Sequence, residues 1–381
     1  MAICPSDSTI TFELITGQTF KAPADIIESY TGVMHLTDCL QYCLLNDTCK
    51  SVNFETGLCV LVSSSANQRP EAMISAQFPT FTIYAQKVCL KDKNKVCING
   101  WAFERVKGYE LKRLAKKTVK VQSRVECMNS CLNEQTFECR SVNFDDQSND
   151  CSLSDMDRHT INVSDDQRIR NFGPASTSTM DYMENNCIDE PKKFCEFHPI
   201  AGKVLRTVDS VYENVDSIKQ CKELCLNSRF RCHSFDYIDS VCRISHLDKN
   251  SVTHLDNPYL KVSAQTTYEL LMCYNVTIQC HSREIVTKVK TSRLFNGKIY
   301  ARDQPNHCLN DISNSLEFNI TMKYNNDDCG VRQSSPGHFI NDIVIQHHDL
   351  VVTTKDLALG IYCRFNLYND SMSFLDLTID G

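Results

Sequence analysis

The chain has 381 residues, a net charge of −7 and a hydrophobic fraction of 42%, so it is long enough for two to four domains with ordinary cores. No basic stripe interleaved with aromatic residues occurs, which excludes the usual nucleic-acid-binding proteins. The 22 cysteines argue against a reducing compartment and predict a secreted protein held together by disulfides.

The first residues, MAICPSDSTITF, lack the basic and apolar regions of a signal peptide, and no segment has the roughly 18–20 apolar residues of a membrane span. Because the cysteines indicate secretion, we expect the sequence to be a fragment whose signal peptide lies outside it. Five Asn-X-Ser/Thr triplets agree with secretion and predict N-glycosylation sites. They begin at Asn46, Asn162, Asn275, Asn319 and Asn369.

The first 18 cysteines form three blocks of six with matching spacing, which indicates an internal repeat. Each block has a lone cysteine, then C-x3-C, then two closely spaced cysteines, and a closing cysteine after a long gap. The blocks are Cys4, Cys39, Cys43, Cys49, Cys59 and Cys89; Cys97, Cys127, Cys131, Cys139, Cys151 and Cys187; and Cys195, Cys221, Cys225, Cys232, Cys242 and Cys273.

Each block also repeats one order of secondary structure. The segments TDCLQYCLL, VECMNSCLN and KQCKELCLN predict short helices in which C-x3-C places two cysteines on one face. Upstream hydroxyls predict N-caps at Thr37, Ser123 and Ser217. The segments CKSVNF, CRSVNF and CHSFDY, followed by GLCVL, NDCSL and SVCRI, predict hairpins. An aromatic residue of each hairpin is expected in a small core: Phe54, Phe144 and Tyr237.

This six-cysteine pattern resembles the PAN/apple domain. Residues alone allow 15 pairings in each block, so the choice of pairs comes from the resemblance. It implies that the first cysteine pairs with the sixth, the second with the fifth and the third with the fourth. The implied pairs are Cys4–Cys89, Cys39–Cys59, Cys43–Cys49, Cys97–Cys187, Cys127–Cys151, Cys131–Cys139, Cys195–Cys273, Cys221–Cys242 and Cys225–Cys232.

After about residue 274 the helical signals fade and short alternating segments follow, separated by turns such as NGK (296–298), NNDDCG and SSPG. The segments are NVTIQC, EIVTKVKTS, GKIYAR, SLEFNITMKY, NDIVIQ, DLVVTT, GIYCRFNL and FLDLTI, and they predict a β-sandwich. The region resembles the ZP-N half of a zona pellucida module. The resemblance depends on LFNGKIYARDQPNHC (294–308), CGV (329–331), NDIVIQHHDLVVTTKD (341–356) and GIYC (360–363), and it implies Cys280–Cys363 and Cys308–Cys329.

The expected fold class is therefore α+β disulfide-rich PAN/apple repeats followed by an all-β Ig-like sandwich. The expected domains are residues 1–92, 93–191 and 192–276 for the PAN blocks and 277–381 for ZP-N. The second half of the zona pellucida module and a membrane anchor are expected only in a longer parent chain.

Several residue groups contain side chains of the types that bind metal ions. Adjacent strand residues face opposite sides, so His347-His348-Asp349 is interpreted as strand polarity and not as a metal site. The C-x3-C pairs are interpreted as disulfides and not as zinc ligands. The acidic pairs Asp145-Asp146, Asp165-Asp166 and Asp327-Asp328 are interpreted as turns and not as calcium loops.

Two further features have a structural interpretation beside a functional one. The basic run KRLAKKTVK (112–120) is interpreted as a solvated face, the alternative being a glycan- or matrix-binding patch. Trp101, the only tryptophan, is expected in a core or a domain contact. No catalytic motif is present. We therefore expect no enzymatic activity, no catalytic residue, no cofactor and no metal site.

Three PAN-like blocks before a zona pellucida module resemble the no-mechanoreceptor-potential-A family of arthropods and its nematode relatives. The resemblance implies a structural glycoprotein of the apical extracellular matrix or cuticle that polymerises with itself or other ZP proteins. Its PAN blocks would bind matrix proteins or glycans, and it could link sensory dendrites to cuticle. The alternative is a soluble secreted PAN array that binds a glycan or protease without polymerising. A zymogen fragment is a third reading, disfavoured because ZP-N stands where a protease would follow.

Overall fold

A computed structural model describes residues 4–76, 82–91, 97–161, 171–325, 327–348, 353 and 356–364. The chain divides into two compact units. Unit 1 comprises Met1–Asp189 and Phe197–Leu271, and unit 2 comprises Glu190–Glu196 and Met272–Gly381. Several features named above lie outside the described residues: Asn162, Asp165, Asp166, Asp349, Asn369, nearly all of DLVVTT and all of FLDLTI.

Three helices occur where the C-x3-C segments predict them: α1 (Leu36–Leu45), α2 (Arg124–Leu132) and α3 (Ile218–Leu226). The hydroxyls of Ser123 and Ser217 cap α2 and α3 by accepting a hydrogen bond from the backbone N–H three residues later. The predicted N-cap Thr37 is wrong, because α1 already begins at Leu36. The backbone N–H of Leu36 instead donates to the carbonyl of Asp209 at 2.7 Å, so a tertiary contact replaces the side-chain cap.

Strands make up most of the remaining described structure. In chain order they are β1 Thr9–Thr16, β2 Gln18–Phe20, β3 Ile26–Thr31, β4 Ser51–Glu55, β5 Leu58–Val62, β6 Met73–Ser75, β7 Ile83–Leu90, β8 Phe103–Lys107, β9 Tyr109–Leu111, β10 Lys117–Lys120, β11 Ser141–Asp145, β12 Asp150–Ser154, β13 Phe172–Pro174, β14 Met180–Asn185, β15 Lys193–Leu205, β16 Ser210–Tyr212, β17 Ser234–Ile238, β18 Val241–Ser245, β19 Tyr259–Cys280, β20 Glu284–Ala301, β21 Leu309–Lys323, β22 Arg332–Ser335, β23 His338–Gln346 and β24 Leu357–Arg364.

The predicted hairpins are β4–β5, β11–β12 and β17–β18, all antiparallel. Their turns contain residues with positive φ, Gly57, Asn149 and Asp239, which are the residue types that adopt this conformation most readily. Each hairpin packs on the helix of its block. Phe54 and Phe144 are buried, as the alternation of the strands requires.

One ten-stranded sheet joins the first two cysteine blocks, in the order β10-β12-β11-β14-β8-β1-β7-β4-β5-β3. The blocks meet where β1 pairs in parallel with β8, with Glu13 opposite Phe103 and Leu14 opposite Glu104. Within unit 1 the third block forms the sheet β16-β18-β17-β19. A bridge between His35 and Ser210 connects it to the first block. The three blocks are therefore parts of one compact body.

Unit 2 is all β. The end of β19 pairs with β20, which also pairs with β21 and β23, while β22 and β24 pair with β23. The predicted fold class, PAN/apple repeats followed by an all-β domain, is confirmed. The predicted turn at NGK is wrong, because β20 continues through it with register shifts. Gly297 has a φ of +153°, and a Cβ there would lie 2.1 Å from the carbonyl oxygen of Gln346, so the glycine permits a bulge at a close backbone approach.

The division between the units differs from the expected boundaries 192–276 and 277–381. Residues 190–196 and 272–276 belong to unit 2, so the Cys195–Cys273 disulfide lies there although its spacing belongs to the third block. The reason is the course of β19. From Tyr274 onward its residues pair with β20, and Tyr274 and Val276 enter the core of unit 2.

Candidate functional site

All 22 cysteines are paired, and the structure brings together the eleven pairs that the resemblance implies. In each block one disulfide joins the helix to the cysteine two residues before the hairpin's first strand, and a second joins the helix to the hairpin's second strand. These six cross-links are buried. The cysteines therefore have structural roles and are not available as metal ligands or nucleophiles.

The sequence candidates for metal binding have other contacts. Across the described residues, no group of three or more His, Cys, Asp or Glu side chains is arranged to hold a metal ion. The imidazole of His347 lies 2.5 Å from the Tyr274 hydroxyl and 3.3 Å from the Asp356 carboxylate, so it belongs to the packing of unit 2. Asp145 accepts a hydrogen bond from Thr179, and Asp327 begins a short 3-10 turn.

The basic run 112–120 is largely neutralised by neighbouring carboxylates. Lys116 lies 3.3 Å from Asp155, Lys117 lies 2.8 Å from Glu134, and the ammonium of Lys120 lies 2.9 Å from an Asp150 oxygen. A patch that recruits an anionic glycan needs positive charge in excess. The run fits a solvated, ion-paired face better than a binding patch.

The most unusual feature of unit 1 is a buried group of charges between the second and third blocks, which we call the junction cluster. Its members are drawn from loops and strands far apart in sequence, and each is at most 7% exposed. They are the carboxylates Glu104, Asp157, Glu184, Asp209 and Asp248, the guanidinium groups Arg140, Arg158 and Arg231, and the imidazoles His159 and His246.

Arg158 lies at the centre of the junction cluster. Its guanidinium donates to Glu104 and lies 3.0 Å from Glu184, and it also reaches the backbone carbonyl of Ser251 in the third block. The Tyr182 hydroxyl donates to Glu184 at 2.9 Å and accepts from the Arg158 backbone N–H. The Arg158 side chain therefore connects two strands of the second block to a loop of the third.

Two more residues, Arg231 and His159, make contacts between the second block and the third. Arg231 donates to Asp157 at 2.7 Å, and its backbone N–H donates to the Asn186 side chain. His159 lies 3.2 Å from Glu184 and 3.3 Å from Asp248. Its ring is stacked on that of His233, with centroids 3.6 Å apart.

His246 brings the first block into the junction cluster. Its Nδ1 lies 2.7 Å from Asp209, and its Nε2 lies 3.4 Å from Glu104 and 3.3 Å from the Thr16 hydroxyl. The rings of Trp101 and His246 form a T-shaped pair with centroids 5.5 Å apart, and the Trp101 ring stacks on Phe230 with centroids 5.2 Å apart. Trp101 is thus in a core contact between blocks, as the sequence analysis expected.

The charges of the junction cluster balance only when both imidazoles are protonated. Burial alone would lower the pKa of His159, but Glu184 and Asp248 outweigh it and raise that pKa to about 9. In the same way Asp209 and Glu104 outweigh burial and raise the pKa of His246 to about 10. The adjacent cations hold the pKa of Glu104 and of Asp157 below the usual range despite burial. Five carboxylates then face five cations, and the mutual pairing offsets the cost of burying them.

Sequence reasoning missed the junction cluster because no motif carries it. The Arg158–Glu104 pair is 54 residues apart in sequence, and His159 and Asp248 are 89 residues apart. The only local signal was DRH (157–159), a charged triplet in a region without secondary-structure periodicity. Such a triplet is ordinarily solvated, and only the packing of the third block buries it.

Two features of the described surface are suited to contact with partners. In unit 1 a cavity of about 360 Å³ lies between Thr37 of α1 and the third block, where Tyr212, Gln220, Glu223 and Arg229 supply one aromatic ring and several polar groups. In unit 2, β24 pairs only with β23 as far as the structure is described. Tyr362 on β24 is 40% exposed.

Three of the predicted glycosylation sites can be placed. Asn275 and Asn319 are exposed strand residues of unit 2. Asn46 follows α1 and is half-buried, and its side-chain oxygen accepts hydrogen bonds from the backbone and hydroxyl of Thr48. The structure brings Asn275 and Asn319 onto one sheet and leaves Asn46 in the other unit.

Comparison with known proteins identifies the building blocks. The PAN domain model matches three segments, 4–89, 97–187 and 195–273, and the cuticlin N-terminal domain model matches 275–365. Protein let-653 of Caenorhabditis elegans is 30% identical over 159 residues, which cover 39% of this chain and 18% of that protein. The two N-terminal apple domains of Toxoplasma gondii microneme protein 4 align with 45% of this chain and 86% of theirs, at 9% identity and a TM-score of 0.16. In the described part of the chain, no helix has the length and apolarity to cross a membrane.

Proposed function

Because the chain belongs to the PAN domain family, we propose that it is a structural glycoprotein of an apical extracellular matrix or cuticle, without enzymatic activity. The three PAN matches, the cuticlin N-terminal match and the disulfides support an extracellular matrix protein. In this proposal unit 2 assembles with other copies or with related modules, and unit 1 binds matrix proteins or glycans.

The observation that favours assembly is the edge of β24. Among the described strands β24 pairs with β23 alone, and a strand at the end of a sheet is a common route to ordered association because a second strand can pair beside it. Along β24, Ile361 and Cys363 are buried while Tyr362 and Arg364 are exposed. Neither Pro nor Lys, the residues that often block such edges, occurs in Leu357–Arg364.

Unit 1 is suited to act as a stiff arm. The first two blocks share a sheet, the first and third share a core, and all three meet at the junction cluster, so they present their surfaces in a fixed arrangement within the unit. The cavity beside α3 has an aromatic side chain next to carboxylate, amide and guanidinium groups, which is a combination that suits a polar ligand such as a sugar.

Assembly is tested on the full secreted chain by light scattering over a range of concentrations, followed by negative-stain microscopy. We expect the mass to rise with concentration and filaments to form. Tyr362→Lys should keep the chain monomeric, because a desolvated Lys opposes strand pairing at that edge. Leu309→Lys is the matched control, since Leu309 is also 40% exposed and lies on β21, which pairs only with β20 among the described strands.

A monomer at every concentration would refute assembly by this chain. It would favour the second candidate, a soluble PAN array, and a glycan array probed with that monomer would then test the cavity. Equal assembly by Tyr362→Lys and the wild type would refute the role of β24. A link between sensory dendrites and cuticle would require the protein to be found at that junction by immunolabelling.

A further inference from the structure

The outer face of the three-stranded sheet β19–β20–β21 in unit 2 contains two of the predicted glycosylation sites. The triplets NVT (275–277) and NIT (319–321) both lie within strands, on either side of β20. Asn275 is opposite Lys290, and Asn319 is opposite Lys288. Because side chains alternate along a strand, both asparagines and both threonines point to the same side of the sheet.

The burial pattern identifies that side as solvent-exposed. Asn275, Thr277, Lys288, Asn319 and Thr321 are all exposed, whereas the residues between them face the core. These inward residues are Val276, Ile278, Val289, Phe318 and Ile320, each at most 7% exposed. The outer face is thus mainly polar, with Val286, which is half-buried opposite Thr321, as an apolar side chain among the polar ones.

The two acceptor asparagines are close enough for their glycans to act together. They are two strands and two residues apart, and strands lie about 4.8 Å apart with a rise of about 3.4 Å per residue, so their Cα atoms are roughly 12 Å apart. Lys288 lies on the central strand between them. Asn319 also borders an open cavity of about 390 Å³ with Asn310, Thr321 and Lys323, which leaves room for the first sugar.

We propose that Asn275 and Asn319 both carry N-linked glycans, and that the pair covers the outer face so that protein partners contact unit 2 elsewhere. A bulky hydrophilic glycan on each flanking strand excludes a second protein from the central strand. The proposal requires secretion but not assembly, so it can fail or hold independently of the proposed function.

The test uses the full chain secreted from eukaryotic cells at a dilution where it is monomeric. Peptide mass spectrometry after enzymatic deglycosylation in heavy-oxygen water measures the occupancy of each asparagine. A water-soluble amine reagent then measures how fast Lys288 is labelled, with exposed Lys261 of unit 1 as the reference in the same chain. We expect both asparagines to be occupied and Lys288 to react severalfold more slowly than after removal of the glycans.

A matched pair of variants separates the glycan from the side chain. Thr277→Ala with Thr321→Ala abolishes both acceptor triplets, while Thr277→Ser with Thr321→Ser retains them. The alanine pair should label Lys288 fast and the serine pair slowly. An unmodified Asn275 or Asn319, or equal labelling in the two pairs, overturns the proposal. If the alanine pair is not secreted, enzymatic removal of glycans from the folded wild-type chain gives the same comparison.

Discussion

Raising the pH should weaken unit 1, because two imidazoles of the junction cluster must then lose their protons. Their carboxylate neighbours raise the pKa of His159 to about 9 and that of His246 to about 10. In the unfolded chain the pKa of a histidine is about 6.5. The folded state holds these protons more tightly, so the stabilisation is complete below about pH 6.5 and is lost as the pH rises through 9 and 10.

The size of the effect follows from the shifts. One pKa unit corresponds to about 1.4 kcal/mol, so the full stabilisation is about 3 kcal/mol for His159 and about 5 kcal/mol for His246. Between pH 6.5 and pH 9 His159 loses most of its contribution to the free energy of unfolding, and His246 loses more than half of its contribution. The expected fall in the free energy of unfolding is about 5 kcal/mol, which is comparable to the whole stability of a small domain.

The assay is urea unfolding of the full chain at pH 6.5 and pH 9, followed by tryptophan fluorescence. Trp101 is the only tryptophan and is buried against the junction cluster, so its signal reports on unit 1 alone. With every cysteine paired, the chain has no thiolate of its own to start disulfide exchange at pH 9. His246→Gln should make the fall smaller, and His281→Gln, at an exposed position, should leave it unchanged. Equal stability at the two pH values would refute the assignment of charged imidazoles.

Three further outcomes are expected. Arg124→Met removes the guanidinium that lies 2.6 Å from buried Glu13 and should lower the stability of unit 1 by about 3–5 kcal/mol in the same fluorescence assay, where a loss below about 1 kcal/mol would contradict us. Gly297→Ala should destabilise unit 2 by about 1–3 kcal/mol or more and speed hydrogen exchange in β20. Gly330 has a left-handed φ but no such close backbone approach, so Gly330→Ala should destabilise unit 2 less than Gly297→Ala does, by about 1 kcal/mol. Burial and the charge of Arg158 lower the pKa of His254 to about 4, so unit 1 should lose up to about 3 kcal/mol as the pH falls from 6.5 through 4, and His254→Gln should reduce that loss.

The helix and hairpin of each block could be predicted because their signals are local. Two cysteines four residues apart fit one face of a helix, and alternating residues on either side of Gly57 or Asn149 fit a hairpin. These signals depend on neighbours within about ten residues. The helices and hairpins could therefore be predicted without knowledge of the fold.

The errors and omissions all involve partners distant in sequence. The first residue of α1 is hydrogen-bonded to the carbonyl of Asp209. Gly297 permits the close approach of the Gln346 backbone, whereas the residues next to Gly297 in sequence indicate only a turn. The parallel pairing of β1 with β8 and the junction cluster likewise depend on how separate blocks pack. Spacing within a block contains no information about such contacts.

The outermost disulfide of each module has a mechanical consequence. A pull on the chain that enters at Cys4 passes directly through sulfur to Cys89, and it then passes in the same way from Cys97 to Cys187, from Cys195 to Cys273 and from Cys280 to Cys363. The loops closed by these bonds, whose cysteines are separated by 78 to 90 positions in sequence, are bypassed and bear no tension. Between Cys4 and Cys363, only the connectors 90–96, 188–194 and 274–279 carry tension outside these loops, and their 20 residues span at most about 70 Å at roughly 3.5 Å per residue. A fibre of such chains would be nearly inextensible until a disulfide is reduced.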